Sequence, residues 1–173
     1  MHGTSVDDVL ERAGAGKGQF YRYFDSKEDL VPEVMARQID QWVDRHAALL
    51  GNLSSLDGFR AWCDALVANS SGRNFARWCP IAGLAGELVQ ADRRGLRHIG
   101  AAAFQRMASY LTAGLSAMQQ AGELRADADP ARLAVMFVAC FEGGLLVSVA
   151  TGDERPLRDS LDAALASLAA QTV

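Results

Sequence analysis

Between Lys17 and Arg22 the chain gathers groups suited to a base edge or a phosphate: Lys17, Gly18, Gln19, Tyr21 and Arg22. Gln19 can bond adenine through two atoms at once, and Arg22 or Lys17 can meet guanine or a phosphate. Tyr21 can donate to a phosphate oxygen, while Gly18 removes a side chain that would hold the backbone away from a partner. Thr4, Ser5 and Lys27 stand at predicted helix N-termini, where unpaired backbone N–H groups favour phosphates. This chemistry recognises and does not make bonds. No nucleophile pairs with a base and no carboxylates pair across a cleft, so no catalytic residue is expected. His2, His46 and His98 have no carboxylate or cysteine at ligand spacing, and neither a metal nor a cofactor is expected. The competing explanation for Tyr21 and Tyr23 is ordinary surface packing.

Two helices must position these groups. Thr4-Ser5-Val6-Asp7-Asp8 fits a capping box, with Ser5 as N-cap and Asp8 three residues on. The helix that follows turns Val6, Val9, Leu10 and Ala13 to one face, and Gly14-Ala15-Gly16 stops it. A second helix is predicted over Lys17–Phe24, with Phe20 and Phe24 inward at i, i+4. Helix, glycine turn and short polar-aromatic helix follow helix-turn-helix grammar. The glycines at 14, 16 and 18 do not make a nucleotide loop, because the spacing is wrong and a helix, not a strand, comes before them. They are expected to supply φ > 0 and close backbone approach.

The stretch TSVDDVLERAGAGKGQFYRYFDSKEDL, Thr4 to Leu30, resembles the DNA-binding motif of TetR-type transcriptional repressors. The segment CPIAGLAGEL, Cys79 to Leu88, is similar to part of the LmrA/YxaF-like branch of that family. The resemblance implies operator DNA as partner, a body that encloses a pocket for a small effector, and dimerisation through the last two helices. The family also places a helix before the TS motif, and only Met1, His2 and Gly3 precede Thr4 here. On that expectation most or all of the first helix is missing, and the chain as given binds DNA weakly or not at all.

One hundred and seventy-three residues, half of them apolar and rich in Ala and Leu, bound the answer to one helical domain or a small head on a larger body. Net charge is −4, and the only lysines are Lys17 and Lys27. In residues 1–30 four basic residues (Arg12, Lys17, Arg22, Lys27) face six acidic ones (Asp7, Asp8, Glu11, Asp25, Glu28, Asp29). A DNA footprint therefore depends on local geometry, with Asp7, Asp8 and Glu11 turned away from the phosphates. Cys63, Cys79 and Cys140, odd in number and far apart, fit reduced cytosolic thiols. No signal peptide is expected. The apolar stretch Leu133 to Ala150, broken by Glu142-Gly143-Gly144, reads as a buried helix rather than a membrane span.

Ser26 caps a helix reaching Leu50, with Met35, Ile39, Trp42, His46, Leu49 and Leu50 on its buried stripe. Pro32 should kink it or shift its start. Helices are then predicted at Leu56–Ala68, with a loop over 69–72, and at Pro80–Ala91. Three more follow: Arg93–Gly122, a nearly all-apolar one opened by Asp129-Pro130, and Pro156–Ala170. The fold is all-α: a helix-turn-helix head over 1–30 and a ligand-binding, dimerising body over 31–173. Trp62, Trp78, Phe104, Met107, Phe137 and Phe141 are the pocket-lining candidates, with Glu142 or Asn74 as polar handles; plain core is the competing explanation. Ala139, Gly143, Gly144 and Ala164 allow close helix approach, and Leu157, Leu161, Leu165 and Leu168 supply apolar area for a dimer interface. Here the alternative is an intramolecular core.

The sequence thus points to a cytoplasmic, homodimeric repressor that leaves palindromic operator DNA when a small hydrophobic or aromatic effector binds. The alternative is a dimeric small-molecule-binding protein that no longer binds DNA.

Overall fold

Helix boundaries fall where capping chemistry puts them. In the computed structural model residues 4–71, 79, 81–83, 85, 86 and 94–173 are described, the side chains of 94–97 excepted. Seven helices are named among them: α1 (Val6–Ala13), α2 (Lys17–Phe20), α3 (Lys27–Leu50), α4 (Leu56–Ser71), α5 (Arg94–Gln120), α6 (Pro130–Thr151) and α7 (Arg155–Ala169). Residues 81–83, 85 and 86 are also helical, and Gly83 N–H donates to the Cys79 carbonyl at 2.9 Å. Pro80 and most of the helix expected after it lie outside the described residues. An isolated bridge between Leu124 and Thr172 is the β pairing found among the described residues. The all-α expectation is met.

The predicted capping box at Ser5 is present, and the Ser26 cap of α3 forms a second one. Ser5 Oγ accepts from Asp8 N–H at 3.1 Å while Asp8 Oδ2 takes the Ser5 N–H at 2.6 Å. Ser26 and Asp29 repeat the exchange at 3.0 and 3.3 Å. Pro32 does not shift the start of α3: the helix begins at Lys27 and runs continuously to Leu50. Asp129 accepts from Ala131 and Arg132 N–H, and Gly152, at φ 68°, closes α6. Two expectations need correction. The helix after the glycine turn is one turn, not two, because Ser26 must be extended (φ −150°) to cap α3 and the chain has to leave helical geometry before it. The Phe24 N–H still donates to the Phe20 carbonyl, so the second turn survives as a turn. Residues 69–71, expected as loop, continue α4: Ser70 Oγ donates to the Leu66 carbonyl and Ser71 Oγ to Glu154 at 2.6 Å.

The body is a layered helix packing. α6 lies against both α5 and α7, α4 against α7, and α3 against α5 and α4. The buried stripe of α3 is Val31, Met35, Ile39, Trp42 and His46, which leaves Leu49 and Leu50 only partly covered. Phe59, Trp62 and Phe137 form the aromatic centre, with Phe137 5.1 Å from Phe59 and 6.2 Å from Trp62. At Gly144 an added Cβ would lie 2.9 Å from the Leu157 Cα, so this glycine sets the close approach of α6 to α7. Ser148, fully buried, accepts the Leu157 N–H at 3.0 Å and so satisfies a backbone donor near the start of α7. By length and composition α6 could cross a membrane. Here one side of it, Leu133 to Ser148, lines the core.

Candidate nucleic-acid interface and effector site

In the head, Phe20 is the anchor. It is buried, lies 5.3 Å from the Phe24 ring at a tilt of 43° and meets the Tyr21 ring edge-on at 5.3 Å. Burying that ring turns Lys17, Gly18, Gln19, Tyr21 and Arg22 to solvent. Nothing lies within 4 Å of the position a Cβ would take on Gly18. Tyr21 and Tyr23 are 55% and 68% exposed. The Arg22 guanidinium sits 5.7 Å above the Tyr23 ring. Of the three turn glycines only Gly14 needs left-handed geometry, at φ 61°; Gly16 is extended and caps α2.

Asp7 and Asp8 both make local contacts in the head. Asp7 lies beside Lys17, with its carboxylate 2.9 Å from Nζ, and holds the lysine pKa above its ordinary value. Asp8 occupies the N-terminus of α1: the Ser5 backbone N–H and hydroxyl hold its carboxyl below the usual range, and the same hydroxyl donates to Oδ2 at 2.7 Å. A phosphate at that end therefore competes with a carboxylate already in place. Lys27 Nζ donates to the Thr4 carbonyl at 2.7 Å, which fastens the start of α1 to the start of α3.

The pocket candidates separate. Trp62, Met107, Phe137 and Phe141 are buried and Phe104 is partly so. Trp62 on α4 meets Phe137 on α6, whereas Trp78 and Asn74 lie outside the described residues. Glu142 carries the polar feature of this region. Both its carboxylate oxygens are sealed from solvent with no well-formed hydrogen bond among the described residues, and burial pushes its pKa to about 7 against a weak opposing contact from the Cys79 thiol. The Cys79 thiol faces it, itself raised to about 12 by burial. Trp62 Nε1 is likewise buried and unpartnered among the described residues. The sequence marked Glu142 as a polar handle but gave no sign that Cys79 would oppose it.

The dimer candidates are redistributed. Leu157, Leu161, Leu165 and Leu168 are buried inside the chain's own core, because the face of α7 that carries them packs on α6 and α4. Ala164 and Gly144 are consumed the same way. Ala139 and Gly143 point outward, and Val135, Leu146 and Val147 join them in an exposed apolar face along α6. Period 3.6 could have found that face, but the apolar pattern all round α6 hid it.

Residues 1–34 match the model described as bacterial regulatory proteins, tetR family, and residues 55–164 the one described as tetracyclin repressor-like, C-terminal domain. An HTH-type transcriptional regulator in the lacX 3′ region of Lactococcus lactis subsp. lactis is 28% identical over 165 residues, 92% of this chain and 80% of the relative. Transcriptional regulator AcuR of Cereibacter sphaeroides is 31% identical over 152 residues, 83% of this chain and 66% of the relative. In fold, the chain resembles regulatory protein TetR from Rhodobacter sphaeroides (TM-score 0.70, 24% identity, 98% of this chain and 88% of that one). It also resembles a TetR-family regulator from Agrobacterium tumefaciens (TM-score 0.74, 23% identity, 95% and 86%).

Proposed function

Since the chain belongs to the TetR family of DNA-binding transcriptional regulators, we propose that it represses from a palindromic operator and is released by a small apolar effector. The observation that carries this is the surface of α2, where burial of Phe20 leaves Lys17, Gly18, Gln19, Tyr21 and Arg22 exposed together. In the proposal Gln19 reads a base, Arg22 and Lys17 meet guanine or phosphate, and Tyr21, Thr4, Ser5 and Lys27 hold the backbone. Residues 1–30 act as the head and 31–173 as the body, within the LmrA/YxaF-like branch, and the protein works in the cytoplasm.

Dimerisation belongs to the same proposal, through the outward face of α6 around Ala139 and Gly143. Two copies of α2 then meet successive major-groove faces about 34 Å apart. The effector sits among Trp62, Phe104, Met107, Phe137 and Phe141, and α3 links it to the head. By linkage, DNA must weaken effector binding by the factor with which effector weakens DNA binding.

The test is an electrophoretic shift on DNA upstream of the protein's own coding region, with wild type and Gln19→Ala. A palindrome-containing fragment retained by wild type, with preference lost at one base position in the variant, supports the reading. A body that dimerises yet leaves every fragment unshifted would favour instead a small-molecule-binding dimer without operator affinity.

A further inference from the structure

Glu142 is the single Asp, Glu, Lys or Arg residue between Arg132 and Asp153, in a helix that is otherwise apolar on nearly every side. Neither carboxylate oxygen reaches solvent or a hydrogen-bond donor of good geometry among the described residues. On α6 it stands at the border of two faces: buried Val138 and Leu145 on one side, exposed Val135 and Leu146 on the other. It is one residue, about 100° of helix, from Phe141. The group opposite it is the Cys79 thiol, whose side chain also lies against the backbone N–H groups of Ile81 and Ala82. A thiol is a weak donor with one proton, so it leaves a carboxylate charge largely uncompensated. An apolar residue would pack at this position at lower cost, and a buried carboxyl without a partner marks a place for one.

We propose that Glu142 is the charge-recognition residue of the effector site, and that the effector is a small apolar molecule bearing a protonated amine. The proposal rests on the body being the effector site. A cation is favoured over the other head groups on electrostatic grounds. In a low-dielectric interior an ammonium gains both a charge-assisted hydrogen bond and the full ion-pair attraction. A hydroxyl gains one neutral bond and leaves the charge, and an anionic head is repelled unless Glu142 is protonated.

The experiment uses three matched probes on the full chain: 2-phenylethylamine, 2-phenylethanol and phenylacetate. Tryptophan fluorescence reports binding, since Trp62 lies against Phe137. The amine should bind wild type at least tenfold more tightly than the alcohol, and Glu142→Gln should erase that preference. Affinity of wild type for the amine should also rise between pH 6 and pH 8, as Glu142, near 7 when empty, ionises while the amine stays protonated. The alcohol should show no such rise. This pH series uses unmodified protein, so it stands even if the variant does not fold. Equal binding of amine and alcohol, a preference that survives Glu142→Gln, or tighter binding of phenylacetate overturns the proposal and leaves the body as effector site. Saturable binding by none of the three overturns both.

Discussion

The Lys27 ammonium donates to the Thr4 carbonyl across 23 positions of chain, at 2.7 Å. One of the chain's two lysines thus holds the helix-turn-helix head closed, whatever it also offers to DNA. Of the other, Asp7 has first hold. The head is accordingly less basic towards DNA than its lysines imply.

Lys27→Ala should cost the head about 1 kcal/mol, the size of one net hydrogen bond, beyond any loss of phosphate contact. Amide exchange in α1 should quicken while α5 to α7 keep their protection. Unchanged exchange in α1 would mean that the contact adds nothing in solution.

Asp7→Asn should strengthen DNA binding at every sequence, because it removes a negative charge and frees Lys17. The slope of log affinity against log salt should steepen by up to about one unit. Titration of a fixed duplex at several salt concentrations reads this directly, and a weaker complex would contradict it.

Val135→Arg and Leu161→Arg should differ in kind. The first places a charge on the exposed face of α6 and should give a helical monomer by light scattering. The second buries a charge at a site 1% exposed and should prevent stable folding. Even Leu161→Ala should cost about 2–5 kcal/mol. A Val135→Arg protein that remains dimeric would move the interface elsewhere.

Stability should fall as pH rises through the Glu142 window. Its carboxyl lies near 7 in the folded chain against 4.5 ordinarily, so between those values the folded state holds more protons than the unfolded one. Stability therefore declines from about pH 4.5 to 7 and levels off above, by as much as about 3 kcal/mol for a shift of this size. Glu142→Gln should flatten that slope and gain most at pH 8. Parallel melting curves for the two proteins at pH 5 and pH 8 would show that Glu142 is not buried in this way.

The three free cysteines should react in order. Burial raises Cys63 and Cys79 to about 12, whereas Cys140 is only partly covered. A thiol reagent at pH 8 should label Cys140 first, and the other two only on unfolding. Rapid labelling of all three in the native protein would show an open body.

The sequence by itself determined whatever is local. Ser5 with Asp8, Ser26 with Asp29, Gly14, Asp129-Pro130 and Gly152 act over three or four residues, so the starts and stops of α1, α3 and α6 were readable from residue types. Periodicity also turned Phe20 and Phe24 inward in the head and marked the α3 stripe from Met35 to His46, while burial singled out Phe20. Tertiary structure alone decided which apolar face meets which neighbour. The leucines of α7 and the outward face of α6 look alike as strings, and only the packing of α6 between α5 and α7 buries the first and exposes the second. The same holds for charge. Lys17 finds Asp7 ten residues away, and Glu142 on α6 faces Cys79, which lies outside the named helices. Burial and pairing are properties of the environment, and no spacing rule in a single chain encodes who arrives from elsewhere in the fold.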